Sequence, residues 1–142
     1  MSQISSQTHA ISINPATGEQ IGHYAFESAE ALDAALTRAA FGFGKWKRKP
    51  LQDRSRALTA LAGALRETAE AMATMITLEM GKPIAQARGE IEKCAKLCEW
   101  YAEHGPAMLD AEPTQVEGGK ARIEYRPLGP ILAVIPWNFP IW

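Results

Sequence analysis

A chain of 142 residues is long enough for one modest domain, and its contents of 46% apolar and 22% charged residues are those of a soluble globular protein. The formal net charge of −1 excludes a strong overall attraction to nucleic acid or to an anionic membrane surface. No stretch approaches the roughly 20 apolar residues of a membrane span, and the N-terminus lacks the features of a secretory signal. We therefore expect a cytoplasmic protein without nucleic-acid or membrane partners.

The expected organisation begins with a flexible N-terminus over residues 1–10. A strand pair and four helices are predicted over residues 11–112. Residues 11–13 and 20–24 have the composition of two short strands, because the segment between them is dense in turn-forming Asn, Pro and Gly.

The spacing of apolar residues predicts the four helices. Ser28 is a good N-cap for the first helix. Gly81 suits the position after the third helix and Pro83 the first turn of the fourth, so the chain reverses between them. The fourth helix is the longest, and its predicted buried face consists of Ile84, Ala87, Ile91, Ala95, Cys98 and Ala102.

A hairpin is predicted over residues 113–127, where helical periodicity gives way to alternation. Its arms, residues 114–117 and 120–126, flank Gly118 and Gly119, a two-residue loop suited to a primed turn. Apolar and charged residues alternate in the second arm. Its apolar face belongs either to the core of this chain or to pairing between subunits.

The apolar run at residues 131–135 is bracketed by prolines and rich in branched side chains, which is typical of a strand buried on both faces. A turn at residues 136–140 follows at the carboxyl end of this strand, where open α/β sheets bind ligands. The predicted fold class is therefore α/β, and residues 128–142 would hold the first strand of a sheet that is left incomplete. We expect the front end of a longer fold.

Asn138 is the candidate functional residue of this turn. Its amide lies between two aromatic residues and two prolines, so it is a rigidly placed donor of the kind that a developing oxyanion requires. An Asn before an aromatic residue and a proline is also ordinary turn chemistry that caps a following helix. The pentapeptide alone favours the structural role.

The two cysteines are predicted to be buried, reduced thiols. Cys94 and Cys98 lie on the apolar stripe of the fourth helix, without a basic or glycine-rich loop that would generate a thiolate. His104 lies beyond them at a spacing that does not suit zinc, so no metal site is predicted. The basic cluster of Lys45, Lys47, Arg48 and Lys49 is interpreted as a solvated loop between helices, with contact to nucleic acid or phosphate as the alternative.

Six segments, in this order, resemble the aldehyde dehydrogenase superfamily. They are residues 14–19 (NPATGE), the pattern of Trp46, Arg54 and Leu58, residues 78–83 (LEMGKP), residues 100–102 (WYA), residues 126–130 (RPLGP) and residues 135–140 (IPWNFP). The last segment is the most specific, and the resemblance covers nearly the whole chain from residue 13 onward. Residues 100–109 and 123–129 are most similar to the bacterial succinate-semialdehyde dehydrogenase branch.

The resemblance implies oxidation of an aldehyde, such as succinate semialdehyde, to its carboxylic acid with NAD or NADP as cofactor. In that family a cysteine thiolate attacks the carbonyl, hydride passes to the nicotinamide, and a glutamate activates the water that releases the thioester. Asn138 matches the catalytic amide that stabilises the oxyanion. The hairpin at residues 114–127 resembles the family's oligomerisation arm, which implies a homo-oligomer.

Further site residues follow from the same resemblance. The positions that match the cofactor cleft are Ile135, Pro136 and Trp137. The positions that fall where the aldehyde tunnel begins are Phe139 and Trp142.

The resemblance also implies that essential groups lie outside this chain. The cysteine nucleophile, the general-base glutamate and the nucleotide-binding loop of the family would all follow Trp142. We therefore expect an N-terminal fragment that is inactive alone and does not bind the cofactor productively. Two alternatives are a non-catalytic helical module that binds another subunit and the product of a decayed or truncated gene.

Overall fold

The computed structural model describes residues 8–142, and it begins with an antiparallel strand pair. β1 (His9–Ile13) pairs with β2 (Gln20–Ala25), so both predicted strands are formed. The turn between them depends on Gly18, which has a φ of +77°. A residue with a side chain would be strained at this φ. The Gly18 N–H donates to the Asn14 carbonyl at 2.8 Å.

The predicted flexible N-terminus falls largely outside the described residues, which do not include residues 1–7. Two of its last three residues, His9 and Ala10, belong to β1. They pair with Ala25 and Tyr24 of β2. The first strand therefore begins two residues earlier than the sequence predicts, and the flexibility of the N-terminus stays a prediction.

Four helices follow in the described part of the chain and confirm the helical predictions. They are α1 (Ala29–Trp46), α2 (Leu51–Glu67), α3 (Ala69–Met80) and α4 (Ile84–Met108). Ser28 caps α1 as predicted, because its hydroxyl accepts the Ala31 N–H at 3.1 Å. Both α2 and α3 pack on α4, whereas α1 has no buried residue. No helix among residues 8–142 combines the length and apolar character needed to cross a membrane.

The hydrophobic core is small and lies where α2 and α3 pack on α4. One cluster of its buried residues, between α3 and α4, consists of Ala73, Ile76, Ala87 and Ile91, and Ala62, Cys94 and Ala95 are buried as well. The alanines let the two helices approach closely, and Ile91, only 1% exposed, is the largest fully enclosed side chain. Ile141 packs against the same cluster from the far end of the chain. The core therefore also holds the segment that carries the candidate site.

The junction between α3 and α4 is a sharp reversal at Gly81. This residue has a φ of +74°, and its N–H donates to the Thr77 carbonyl at 2.9 Å, which caps the end of α3. The Thr77 hydroxyl donates to the Lys82 carbonyl at 2.8 Å. Pro83 is the N-cap residue that immediately precedes α4, one position before the first turn in which the sequence places it. The junction thus fixes the backbone from which the Lys82 side chain projects.

The predicted strand at residues 131–135 is not formed in the described part of the chain. Residues 124–135 have no regular secondary structure, and Leu132 is 90% exposed. A strand exists only through pairing, and β1–β2 and β3–β4 pair only within themselves among residues 8–142. The run has the apolar composition of a buried strand, but no strand among the described residues lies beside it to pair with it.

The predicted hairpin is formed with a turn that lies one residue earlier than expected. β3 (Glu112–Val116) pairs with β4 (Gly119–Ile123), so Gly119 belongs to a strand and the loop is Glu117-Gly118. Gly118 takes the left-handed φ of +74° that the loop requires, which leaves Gly119 free to pair with Val116. Most of the hairpin is exposed.

We expect Ile91→Ala to lower the free energy of unfolding by about 2–5 kcal/mol, because it removes a fully enclosed side chain and leaves a cavity. Leu36→Ala on α1 is the control, since Leu36 is exposed and its loss should change stability by no more than about 0.5 kcal/mol. Urea denaturation followed by circular dichroism measures both. Equal losses for the two variants would contradict the placement of the core.

We expect Gly81→Ala to destabilise the fold by about 1–2 kcal/mol, because alanine strains at a left-handed φ. A Cβ there would also lie 3.1 Å from Cγ of Pro15. Gly63→Ala, within α2 and with open space around its Cβ, should instead stabilise by about 0.5–1 kcal/mol. Thermal unfolding of the two variants should show opposite shifts, and shifts of the same sign would contradict the assigned junction.

Candidate functional site

The segment of residues 136–140 forms a turn at the surface. The Phe139 N–H donates to the Pro136 carbonyl at 3.3 Å, and Trp137 and Asn138 occupy the centre of the turn. Asn138 is exposed, and its side-chain amide has no hydrogen-bond partner within residues 8–142. Its donor and acceptor groups are therefore available to a ligand.

Beneath the turn lies the buried ammonium of Lys82, which is only 7% exposed. Its Nζ donates to the backbone carbonyl of Asn138 at 3.0 Å. The same Nζ lies 4.0 Å from the centroid of the Phe139 ring, a cation–π distance. Lys82 therefore contacts two consecutive residues of the turn.

Glu90 on α4 is the ionic partner of Lys82 and is 5% exposed. One carboxylate oxygen binds the ammonium, and the other accepts the N–H groups of Ile141 at 3.0 Å and Trp142 at 3.1 Å. Burial pushes the pKa of Glu90 upward, but the hydrogen bonds from Lys82 and from the two backbone N–H groups outweigh it. The pKa of Glu90 thus lies below its usual range, and the carboxylate is ionised at neutral pH.

Two clefts border the segment. A cleft of about 190 Å³ has Lys82, Glu90, Phe139 and Trp142 among its lining residues. The Trp142 ring lies there with the Nζ of Lys93 3.5 Å from its centroid. The two predicted tunnel residues, Phe139 and Trp142, therefore come together, each beside a lysine ammonium.

The larger cleft, of about 900 Å³, lies between the β1–β2 pair and α3. Trp137 and Pro140 form part of its edge. Glu79 of α3 links the two walls of this cleft. The Glu79 carboxylate accepts hydrogen bonds from the hydroxyls of Ser12 of β1 at 3.0 Å and Tyr24 of β2 at 3.3 Å. Asn138 lines neither cleft and lies on the surface between the residues that do.

The three predicted cofactor-cleft residues form a continuous apolar strip. Ile135 is 56% exposed and Trp137 is 75% exposed, and Pro136 between them is exposed as well. An exposed apolar strip that includes an indole fits one wall of a site for a planar ring. The strip contains no charged group that would pair with a phosphate.

Lys82 and Glu90 are site residues that no sequence motif predicts. Lys82 lies between Gly81 and Pro83, where the sequence indicates only a junction between two helices. A signal for Glu90 was present, since it is a carboxylate three residues after Ala87 and next to Ile91, on the face of α4 that the spacing predicts to be buried. A charged residue on such a face needs a buried partner.

The two thiols lie apart from the turn. Both thiols are free, and Cys94 is buried as predicted, whereas Cys98 is only partly buried. Burial, followed by the charge of Glu90, raises the pKa of Cys94, so this thiol is protonated at neutral pH. In the part of the chain that the structure describes, no three His, Cys, Asp or Glu side chains are grouped to hold a metal ion.

The geometry and the motifs agree with known proteins. A model of the aldehyde dehydrogenase family matches residues 3–142. A succinate semialdehyde dehydrogenase [NAD(P)+] of Escherichia coli K12 is 58% identical over 139 residues, which is 98% of this chain and 30% of that protein. An NADP+ succinate-semialdehyde dehydrogenase of Mycobacterium tuberculosis H37Rv is 43% identical over 133 residues, or 92% of this chain and 29% of that protein.

A solved structure has a similar fold. The succinic semialdehyde dehydrogenase of Streptococcus pyogenes, in complex with NADP+, superposes with a TM-score of 0.87 and 32% identity over 93% of this chain and 30% of that one. The chain thus spans about 30% of the length of the relatives that it matches. Because the family model covers the chain from residue 3 to its last residue, the chain belongs to the aldehyde dehydrogenase family.

Proposed function

We propose that this chain supplies the oxyanion-stabilising amide of a site that oxidises an aldehyde to a carboxylic acid with NAD or NADP. One observation carries the proposal: the Asn138 side chain is exposed and free of partners in the described structure, while its backbone carbonyl is held from below by Lys82. An amide donor whose backbone is held in place and whose side chain has no competing partner is suited to stabilising charge that develops in a transition state.

The chemistry that this chain contributes is electrostatic. When a thiolate adds to an aldehyde, the carbonyl oxygen gains negative charge, and the Asn138 N–H groups would donate to that oxygen. The nicotinamide cofactor, when bound, supplies the hydride acceptor. Ile135, Pro136 and Trp137 would form an apolar wall against one of its rings, which supports the cofactor assignment without deciding between NAD and NADP.

The proposed substrate is succinate semialdehyde or a similar short aldehyde. Relatives at 58% and 43% identity are named for that activity. Phe139 and Trp142 would border the entry of the substrate, and the ammonium group of Lys93 beside the Trp142 ring places a positive charge at this edge, whereas the charge of Lys82 is balanced by Glu90. A positive edge suits a substrate with a carboxylate.

The nucleophile is proposed to come from outside these 142 residues. Cys94 is buried with a raised pKa, and Cys98 lies on the same helix stripe, so neither thiol is presented to a substrate beside Asn138. We therefore propose that the chain alone does not oxidise aldehydes.

The β3–β4 hairpin is proposed to pair between copies of the protein. It is a two-stranded sheet with two edges, and neither edge is paired elsewhere among residues 8–142. Val116 and Ile123 keep apolar side chains about half exposed. An exposed edge with apolar side chains is suited to pairing with another chain.

A chimera tests the catalytic proposal: residues 1–142 replace the matching segment of the E. coli succinate semialdehyde dehydrogenase. We expect the chimera to reduce NADP+ with succinate semialdehyde and Asn138→Ala to lower its kcat by about 10²- to 10³-fold, because one oxyanion donor is lost. Absorbance of NADPH at saturating substrate measures kcat. Gln52→Ala, which removes an exposed amide from α2, is the control and should leave kcat unchanged.

The outcome that contradicts the proposal is an Asn138→Ala chimera whose kcat stays within about threefold of the parent. The unfused 142-residue chain is assayed in parallel, and it should form no NADPH. Turnover by the unfused chain would instead show that the nucleophile lies within it.

A further inference from the structure

Lys82 and Glu90 are two buried charges to which the proposed chemistry assigns no step. Replacement of a buried ion pair by apolar residues of similar size is often neutral or stabilising, so packing alone does not explain such a pair. Among residues 8–142, the remaining side-chain hydrogen bonds of the pair all lead to the backbone of residues 138–142. That shared destination suggests a role in placing this segment.

The contacts of Lys82 act on the first half of the segment. Because Nζ binds the Asn138 carbonyl, it fixes the plane of the peptide that joins Asn138 to Phe139. The Phe139 ring lies over the same ammonium and adds a second contact one residue later. The peptide that leaves Asn138 therefore has a defined orientation.

The contacts of Glu90 act on the second half. Pro140 has no N–H and its φ is fixed by its ring, so the next backbone donors are those of Ile141 and Trp142. Glu90 accepts both of them on one oxygen. Lys82 and Glu90 also bind each other, so a single buried ion pair holds both halves of the segment.

We propose that Lys82 and Glu90 are positioning residues that fix the backbone on both sides of Phe139 and Pro140 and thereby aim the Asn138 amide. This inference rests on the proposed function, since it concerns the residue that the chemistry uses. With the backbone fixed, only the two side-chain torsions of Asn138 remain free. A misplacement of about 1 Å costs on the order of 10²-fold in rate.

The deciding variant is the double replacement Lys82→Met and Glu90→Leu in the chimera, which removes both charges together and leaves neither unpaired. We expect a Tm within a few degrees of the parent or above it, and a kcat lower by about 10- to 100-fold with little change in the KM for NADP+. A purely structural pair would predict a kcat that follows the Tm. A stable double variant with the parental kcat overturns the proposal.

The control removes an ion pair that does not touch the turn. Arg88→Met with Glu70→Leu abolishes a bidentate pair between α4 and α3, and its kcat should equal that of the parent. Lys82→Arg keeps the charge and the donors and should retain kcat within about threefold. If the double variant does not fold, Glu90→Gln decides, since it nearly keeps the side-chain volume and should lower kcat in the same direction; an unchanged kcat rejects the inference.

Asn138→Ala separates this inference from the proposed function. Added to the double variant, it should lower kcat much less than it does in the parent, because the amide is already misdirected. A large loss from Asn138→Ala in the parent, with no loss from the double variant, rejects the positioning role alone. No loss from Asn138→Ala in the parent rejects the proposed function itself.

A second readout needs no activity. In the 142-residue chain, amide hydrogen exchange followed by NMR should show Ile141 and Trp142 protected in the parent and exposed to exchange in the double variant Lys82→Met with Glu90→Leu, which removes the carboxylate that accepts both N–H groups. Rapid exchange of both amides in the parent would contradict the hydrogen bonds on which the inference depends.

Discussion

The contact between Lys82 and Glu90 is the constraint on which the arrangement of this chain depends. The two residues are eight positions apart in the sequence. They meet because Gly81 ends α3 in a left-handed conformation and α4 begins shortly afterwards, at Ile84. The pair is enclosed, so its hydrogen-bonding capacity must be met by nearby groups. These groups belong to the backbone of residues 138–142, so hydrogen bonds hold this segment against Lys82 and α4.

Stability and placement come from different residues in this fold. Ile91 and the alanines around it remove apolar surface from water, which is the main favourable term for the helical core. Glu90 precedes Ile91 in α4 and points to the same side of the molecule, yet its contacts are directional. Apolar packing brings Ile141 against the helices without choosing the orientation of each peptide, whereas hydrogen bonds from one carboxylate choose it. The two neighbours therefore act on the same segment in complementary ways.

The sequence predicts most of the local structure and less of what brings distant parts together. Apolar spacing gives the four helices, and Ser28 and Gly81 mark two of their ends correctly, because caps and periodicity are local properties. The hairpin turn lies one residue earlier than the sequence predicts, since either Gly118 or Gly119 can take a left-handed φ. Composition predicts a strand at residues 131–135, but a strand forms only with a pairing partner, which composition does not supply. The link from Glu90 to Ile141 spans 51 residues, and no local pattern encodes it.

The candidate site shows how one motif can make a structural contact and also present a proposed catalytic group. The pentapeptide alone favours a structural role for Asn138, and its carbonyl does play a structural part through its bond to Lys82. Its side chain plays no such part among the described residues and is left exposed. The two roles do not compete, because they use different atoms of one residue. A backbone that is held from the protein side leaves the amide free to face a ligand, and this separation makes the turn suited to stabilising an oxyanion.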